Sequence, residues 1–353
     1  MRMKTAIFGV LAVVLIVCSA LVLLEIGVRI VSPQRNMGIC VNEWDRETGT
    51  RLIPGLTGTL SCPEYSIDIA INSRGMRDRE FPYEKPPGTR RVLCLGDSFT
   101  FGYGVEAGET FAKLLERSLD DSAAGGSRWE VLNAGIGSTG TAHQLALYDT
   151  EAHRYSPDVV VVCFCPANDF FDNISSGLYT IEGDTLVRHD AVRTTARGIQ
   201  RFTRFVPGYR YLSTRSHLLN LVRYRVAAMN YRELNRKVSQ AAKPDSVVAT
   251  HNAMTRRLLD AFRRSCARDG SEFVVMFMPP PRTGDAGRWT AEMIAYCDER
   301  RIPVLDLAPP FEEARREGLQ TYYRFEGHWN AAGHAVAARA LHDFLVHRCV
   351  AAE

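Results

Sequence analysis

The chain has 353 residues, of which 46% are hydrophobic and 24% are charged, and its formal net charge at pH 7 is +3. This composition supplies enough apolar surface for a packed core and excludes collagen-like, mucin-like and wholly disordered proteins. The length exceeds one ordinary domain of about 100 to 200 residues. The small net charge argues against a nucleic-acid partner, so none is predicted.

The N-terminal segment has the length and composition of a membrane-spanning helix. Residues 6–24 form a stretch of nineteen positions without a charge. At about 1.5 Å rise per residue such a helix spans roughly 28 Å, close to the hydrocarbon thickness of a bilayer. A cleaved signal peptide is the alternative, because residues 18–20 resemble a small-residue cleavage site. The apolar pattern continues to Val31, which favours an uncleaved transmembrane anchor with its linker in residues 1–36.

The charges that flank this segment favour one orientation. Arg2, Lys4 and the terminal amine precede it, whereas Arg29 and Arg35 follow it and are offset by Glu25. Cytoplasmic flanks carry the excess of positive residues in membrane proteins. We therefore expect a single-pass protein with a cytoplasmic N-terminus and its catalytic domain outside the cytoplasm, on the periplasmic or extracellular face.

Residues 37–90 predict a small β-rich upstream segment packed beside the main domain. Residues 66–72 alternate polar and apolar side chains, which is typical of a half-buried strand. Cys40 and Cys62 flank a polar, turn-rich stretch of this segment. Because disulfides form outside the cytoplasm, a bridge between these two cysteines is one expectation of the predicted orientation.

From residue 91 onward, short β-branched runs alternate with stretches of helical length and apolar spacing. The predicted strands are 91–95, 129–134, 158–165, 272–278 and 303–305, and the predicted helices are 110–119, 139–154, 251–268, 289–301 and 330–347. This alternation predicts an α/β fold with a parallel sheet covered by helices on both faces. The four consecutive valines at 159–162 are typical of a central strand that is buried on both sides.

Residues 171–250 interrupt the alternation and are predicted to be an insertion. They begin with a hairpin over 179–188, and residues 188–237 then contain twelve Lys or Arg but two acidic residues. One interpretation is a solvated helical face. The other is a lid or membrane-surface patch that is attracted to acidic lipids or to an anionic substrate.

Chemically reactive side chains follow several of the predicted strands. Ser98 comes directly after the first, a glycine-rich turn at 135–140 follows the second, and Asn168 follows the third. His328, with Glu326 two residues before it, precedes the last helix. Because open parallel sheets bind ligands at the carboxyl ends of their strands, we expect these groups at one edge. A hydroxyl, an imidazole, a carboxylate and N–H donors are the parts of an acyl-transfer site.

These pieces resemble the motif blocks of the SGNH or GDSL hydrolases, and they occur in that family's order. Gly-Asp-Ser stands at 96–98, Asn-Asp at 168–169, and His-Trp-Asn-x-x-Gly-His at 328–334. The resemblance covers residues 91–353, and residues 72–77 are similar to the upstream segment of bacterial membrane-anchored members. It implies a three-layer α/β/α, flavodoxin-like sandwich. It also implies an esterase that needs no cofactor and no metal and acts on an ester substrate such as an acylated glycan or lipid.

The resemblance also assigns roles to individual residues. It implies that Ser98 is the nucleophile and that His328 is the general base. The oxyanion hole would consist of the Ser98 N–H, the Asn168 amide and a backbone N–H from the second block. The glycine of that block aligns with Ser138, with Gly137 beside it, so either N–H is a candidate. Serine fits this position if its φ is negative.

The acid that orients the histidine departs from the common family pattern. Many members carry it three residues before the histidine, where this chain has Phe325. Glu326 is the nearest carboxylate, and a subset of the family similarly carries its acid at that position. We therefore predict that Glu326 orients His328, with Asp306 on the fifth strand as the alternative. Pro166 also replaces a glycine that is usual in the third block.

Three functions are compatible with these residues. The first is a membrane-anchored serine esterase. The second is an O-acyltransferase that uses the same residues on a cell-envelope polysaccharide. The third is a degenerate, non-catalytic envelope module that binds a partner through the pocket or through the insertion at 171–250.

Overall fold

The computed structural model describes residues 2–32, 41–122, 128–191, 244–279 and 286–350, together with parts of 208–229. The helices are α1 (Arg2–Val31), α2 (Ser98–Phe101), α3 (Phe111–Ser122), α4 (Thr141–Thr150), α5 (Asp169–Ser175), α6 (Pro244–Arg268), α7 (Ala286–Glu299), α8 (Ala308–Arg316) and α9 (Ala331–Val350). The strands are β1 (Asn42–Asp45), β2 (Gly49–Leu52), β3 (Thr57–Cys62), β4 (Tyr65–Ala70), β5 (Thr89–Gly96), β6 (Arg128–Gly135), β7 (Val159–Phe164), β8 (Tyr179–Glu182), β9 (Thr185–Arg188), β10 (Glu272–Phe277) and β11 (Val304–Asp306). Single-turn 3-10 helices lie at Ala107–Glu109 and Ala152–Tyr155.

Within these residues, five parallel strands form the central sheet in the order β11-β10-β7-β5-β6. They are the five strands that the sequence predicts, each to within two residues at either end. Every residue of β7 is buried, which confirms the central position expected for the run of valines. All strands point the same way, so their carboxyl ends share one edge of the sheet.

Alternate side chains of each strand face two separate cores. Leu93 and Leu95 of β5 lie in one core with side chains of α4, α6 and α7. Val92 and Cys94 face the other core, which α3, α8 and α9 cover. The period of two along the strand places helices on both faces and produces the predicted three-layer α/β/α sandwich.

The upstream segment packs against the main domain next to the loop that follows β5. Two antiparallel hairpins, β1–β2 and β3–β4, build it, and Ile67 and Ile69 pack into one cluster with Phe101. The buried guanidinium of Arg77 donates hydrogen bonds to the carbonyl oxygens of Phe101 (3.1 Å), Gly102 (2.7 Å) and Val105 (2.7 Å). Cys40 lies outside the described residues, and so therefore does the expected disulfide.

The N-terminal helix α1 is separate from both cores. Within Ile7–Val31, an 18-residue window has a mean hydropathy of 3.2, and none of that window is buried against the rest of the protein. Of the insertion, the β8–β9 hairpin occurs as predicted. Residues 217–223 are helical, and Glu25 of α1 accepts hydrogen bonds from the first amides of this helix at His217 and Leu218. Much of the basic stretch 188–237 lies outside the described residues.

Candidate active site

A tight strand-to-helix turn places Ser98 at the carboxyl edge of the sheet. β5 ends at Gly96, where a Cβ atom would collide with the Thr100 side chain. Asp97 caps α2 because its Oδ1 accepts the Phe99 N–H at 2.9 Å. The helix stops after one turn at Gly102, which has φ +86°. The serine hydroxyl is therefore held on a short, capped turn.

A continuous hydrogen-bonded path joins Ser98, His328 and Glu326. His328 Nε2 lies 2.7 Å from Ser98 Oγ, and His328 Nδ1 lies 2.6 Å from Glu326 Oε2. The same carboxylate oxygen accepts the His328 backbone N–H at 3.0 Å. Gly327 between them has φ +82°, which permits this sharp turn. With its proton on Nδ1 towards Glu326, the imidazole presents the Nε2 lone pair to the serine hydroxyl.

The two candidate acids have different surroundings. Glu326 is 8% exposed and contacts the imidazole. Asp306 instead accepts the Ala308 N–H at 2.9 Å, at the start of α8. Phe325, at the position where many family members have the acid, is 81% exposed. The structure therefore brings Glu326, rather than Asp306, to His328.

Aromatic rings enclose the imidazole on the side of the nucleophile turn. The Phe99 ring lies 4.8 Å from the His328 ring and the Tyr103 ring lies 5.4 Å from it, measured between centroids. Behind them Trp329 is fully buried and meets Phe99 edge to face at 5.1 Å. These rings pack against the imidazole and restrict its orientation.

The second histidine of the same motif has a structural role. His334 is fully buried, and its Nδ1 accepts the Phe111 N–H at 3.2 Å. Burial lowers the pKa of His334 to about 3. It therefore stays neutral and ties α9 to α3.

The glycine-rich turn after β6 differs from the expectation at one position. Ser138 has φ +63°, in the left-handed region, so the condition under which serine fits this position, a negative φ, is not met. The tight turn is the reason: the Thr139 hydroxyl donates to the Ile136 carbonyl at 2.7 Å and closes the loop around Ser138. Gly137 is buried, and a Cβ atom there would lie 2.9 Å from the Tyr103 ring. Both candidate N–H donors thus lie on a turn next to the ring that faces His328.

Asn168 stands at the N-terminus of α5, after the carboxyl end of β7. Its side-chain nitrogen donates to Asp172 Oδ2 at 3.0 Å and to Asp169 Oδ1 at 3.2 Å. These two hydrogen bonds fix the orientation of the Asn168 side-chain amide. The sequence patterns do not predict α5, because seven residues are too few for a helical period.

Buried acidic groups surround this amide. Asp97 and Asp169 are almost completely buried. Burial raises the pKa of Asp97 to about 6, and burial together with the charge of Asp97 raises the pKa of Asp169 well above its usual range. Burial also raises the pKa of Asp172. The cluster therefore carries fewer negative charges at neutral pH than its composition suggests.

The upstream segment supplies side chains to the site that the sequence reasoning missed. The Tyr65 hydroxyl lies 3.4 Å from Glu326 Oε1, and the Glu64 carboxylate accepts backbone N–H groups of the loop that carries Glu326. About 260 positions separate these partners in the chain. No local sequence signal can reveal such a contact.

Comparison with known protein families gives one match. A family model described as the GDSL-like lipase/acylhydrolase family matches residues 94–336, more than half of the chain. No curated protein matches the chain.

Solved structures include similar folds at low identity. A catalytic mutant of an acetylxylan esterase from Geobacillus stearothermophilus is 11% identical, covers 72% of this chain and 93% of its own, and gives a TM-score of 0.41. A psychrotrophic esterase from a Pseudoalteromonas species is 12% identical, covers 74% and 98% respectively, and gives a TM-score of 0.40. These similarities are weak, so the assignment depends on the family model. The chain belongs to the GDSL-like lipase/acylhydrolase family and is an ester-hydrolysing enzyme.

Proposed function

We propose that this protein is a membrane-anchored serine esterase in which Ser98 attacks the ester, His328 is the general base and Glu326 orients the imidazole. The observation that carries the proposal is the unbroken path from Glu326 through His328 to Ser98, with distances of 2.6 and 2.7 Å. A serine hydroxyl is a weak nucleophile unless a neighbouring base removes its proton. The contact at Nε2 supplies that base.

The reaction then proceeds through an acyl-enzyme. His328 accepts the Ser98 proton as Oγ adds to the ester carbonyl, and it returns the proton to the departing alcohol oxygen. Water then gives a proton to the same imidazole as it adds to the acyl-enzyme. The bond between the acyl carbon and Ser98 Oγ breaks, the imidazole returns the proton to Oγ, and the acid is released. Throughout, Glu326 holds the tautomer and stabilises the imidazolium.

The developing oxyanion is stabilised by N–H donors at the sheet edge. The donors are the Ser98 N–H, the Asn168 amide and the N–H of Gly137 or Ser138. Asn168 carries two N–H groups, and Asp172 is the nearer acceptor for one of them. Because burial favours protonated Asp169, that carboxyl competes weakly for the second N–H, which can turn towards the oxyanion.

The division of the chain follows from the same proposal. Residues 1–36 are an uncleaved anchor with its linker, residues 37–90 the upstream segment, and residues 91–353 the hydrolase domain with the insertion at 171–250. The catalytic domain lies outside the cytoplasm. The length and hydropathy of α1 support the anchor, and the positive residues that precede it support the orientation.

The insertion lies against the membrane surface in this proposal. Glu25, near the end of α1, accepts a hydrogen bond from the Ser216 hydroxyl at 2.8 Å, and Arg29 donates to the Arg215 carbonyl at 2.7 Å. Val222 and Val226 nearby are both 51% exposed. Exposed apolar residues and arginines beside an anchor suit the interface between lipid headgroups and acyl chains.

The test is Ser98→Ala in the full-length protein in detergent, with a short p-nitrophenyl ester and a fluorophosphonate probe. We expect turnover to fall by at least about 10³-fold and probe labelling to disappear. Undiminished turnover would rule out the proposal. Ester cleavage without a sugar acceptor separates the esterase from an acyltransferase. Labelling of intact cells and of spheroplasts reports on which side of the membrane Ser98 lies.

A further inference from the structure

The tip of the β3–β4 hairpin contacts the loop that carries Glu326. At its tip, Glu64 Oε1 accepts the Arg324 N–H at 2.8 Å and Oε2 accepts the Glu326 N–H at 2.8 Å. The Phe325 N–H between them lies 3.2 and 3.1 Å from the two oxygens. One carboxylate from the upstream segment thus binds three consecutive amides of the acid loop.

This contact fixes the backbone from which the Glu326 side chain projects. Hydrogen bonds to an ionised acceptor are shorter and about twice as strong as neutral ones. The same loop is closed by the Tyr323 N–H, which donates to the His328 carbonyl at 2.9 Å. The loop is therefore held at its ends by its own backbone and in its middle by Glu64.

The neighbouring Tyr65 contacts the acid itself. Its hydroxyl lies 3.4 Å from Glu326 Oε1, whereas Oε2 is the oxygen that meets His328. The Tyr65 ring packs at 5.1 Å against Tyr323, whose own hydroxyl donates to the Gly104 carbonyl at 2.7 Å. Glu64 therefore restrains the main chain of the acid, and Tyr65 restrains the rotation of its carboxylate.

We infer that the β3–β4 hairpin completes the active site, with Glu64 and Tyr65 as positioning residues that hold Glu326 against His328. This inference depends on the proposed Ser-His-acid site and deepens it. Neither residue touches the reacting atoms, so both act through Glu326. Misplacement of a catalytic group by about 1 Å can cost about 100-fold in rate, which sets the scale of the expected effect.

The experiment compares Glu64→Gln with Glu80→Gln in the full-length protein. Glu80 is a matched control in the same upstream segment, where its carboxylate accepts the Ser73 N–H at 2.7 Å and the Ser73 hydroxyl at 2.8 Å. Glutamine at 64 has a single acceptor oxygen, and its NH₂ group opposes the loop amides. We expect Glu64→Gln to lower kcat by about 10- to 100-fold with KM unchanged, and Glu80→Gln to leave both unchanged.

A double-mutant cycle separates positioning from a general loss of structure. If Glu64 acts through Glu326, the double variant with Glu326→Gln loses no more activity than Glu326→Gln alone. A purely structural defect would instead multiply the two losses, and that result would overturn the inference. So would a Glu64→Gln enzyme with wild-type kcat.

Tyr65→Phe tests the same role without disturbing the three amides. We expect about a threefold loss of kcat that also vanishes in the Glu326→Gln background; a loss that persists there would overturn the role of Tyr65. Fluorophosphonate labelling of the wild type is the reference. An unlabelled wild type means that the proposed function fails, whereas a labelled wild type with an equally fast Glu64→Gln variant means that only the positioning role fails.

Discussion

The two ends of the central sheet differ in whether their buried acidic residues are paired with a cation. At the amino end, Arg91 and Glu130 are both buried and form an ion pair at 2.7 Å. Arg91 also donates to the Tyr155 carbonyl at 2.8 Å. At the carboxyl end, Asp97 and Asp169 are equally buried, yet no Lys or Arg pairs with them within the described residues.

The difference indicates that charged groups at the amino end stabilise the fold, whereas those at the carboxyl end belong to the reaction site. A buried ion pair with satisfied hydrogen bonds holds neighbouring strands in register. Buried acids without a cation are costly, shift their pKa and commonly mark functional sites. Loss of an ion pair at the amino end should therefore lower stability, and loss of a catalytic group at the carboxyl end should lower the rate. Each prediction below tests one side of that division.

The largest effect is expected at the carboxyl end, for Glu326→Gln. The variant keeps the shape of the side chain but loses the charge that stabilises the imidazolium of His328. We expect kcat to fall by up to about 10⁴-fold with little change in thermal unfolding, by analogy with the acid of serine proteases. The measurement is ester turnover together with the melting temperature.

Asp306→Asn is the matched control for this change. Asparagine retains an oxygen that can accept the Ala308 N–H, so both activity and stability should stay near the wild-type values. The opposite pattern, a damaged Asp306→Asn enzyme and an active Glu326→Gln enzyme, would reassign the acid.

At the amino end, Glu130→Gln should reduce stability without reducing the activity of the folded enzyme. The change leaves the buried Arg91 guanidinium without its carboxylate, which costs about 3 to 5 kcal/mol of unfolding free energy. Urea unfolding measures this loss. Glu272→Gln is the control, because the Arg348–Glu272 pair is 41% and 40% exposed and should contribute less than about 1 kcal/mol. Equal losses of unfolding free energy in Glu130→Gln and Glu272→Gln would mean that the buried ion pair contributes no more to stability than the exposed one.

Asn168 and Asn173, five residues apart in the chain, allow an effect on rate to be compared with an effect on stability in one region. Asn168→Ala removes a proposed oxyanion donor, and we expect kcat to fall by about 100- to 1,000-fold. Asn173→Ala instead removes a buried acceptor of the Ala142 N–H and a donor to Thr255, so it should lower the melting temperature more than the rate. Reversed effects would mean that Asn173, rather than Asn168, serves the reaction.

The sheet was predictable from the sequence because its signals are local. Each strand is a short apolar run between turns, and the buried run of β7 is visible as consecutive valines. The short helices α5 and α8 were not predicted, since seven and nine residues show little periodicity.

The site was predictable where motif residues directly follow a strand or directly precede a helix. Ser98 and Asn168 follow β5 and β7, and His328 stands just before α9. The positive φ of Ser138 depends on hydrogen bonding within its turn, which the residue type alone does not reveal. The contact of Glu64 with the acid loop depends on how the upstream segment packs, so it appears only in three dimensions.

The smallest predicted effect concerns the pH dependence of stability at Asp97. Burial raises its pKa from 3.8 to about 6, so between those values the folded state binds more protons than the unfolded state. The stability that this group contributes is therefore present below about pH 4 and is lost as the pH rises through about 6. Asparagine does not ionise and can still accept the Phe99 N–H. Relative to the wild type, Asp97→Asn should thus gain about 2 kcal/mol of unfolding free energy between pH 4 and pH 7.

Melting temperatures of both proteins from pH 4 to pH 8 measure this gain. Lys85→Met is the contrasting change at the amino end, where Lys85 pairs with Asp158 at 2.6 Å. It should lower stability at neutral pH, because it removes the ion pair with Asp158. If Asp97→Asn gained nothing as the pH rose, Asp97 would be ionised in the folded protein without penalty. The carboxyl end would then resemble the amino end, and its unpaired acids would no longer distinguish the end that performs the chemistry.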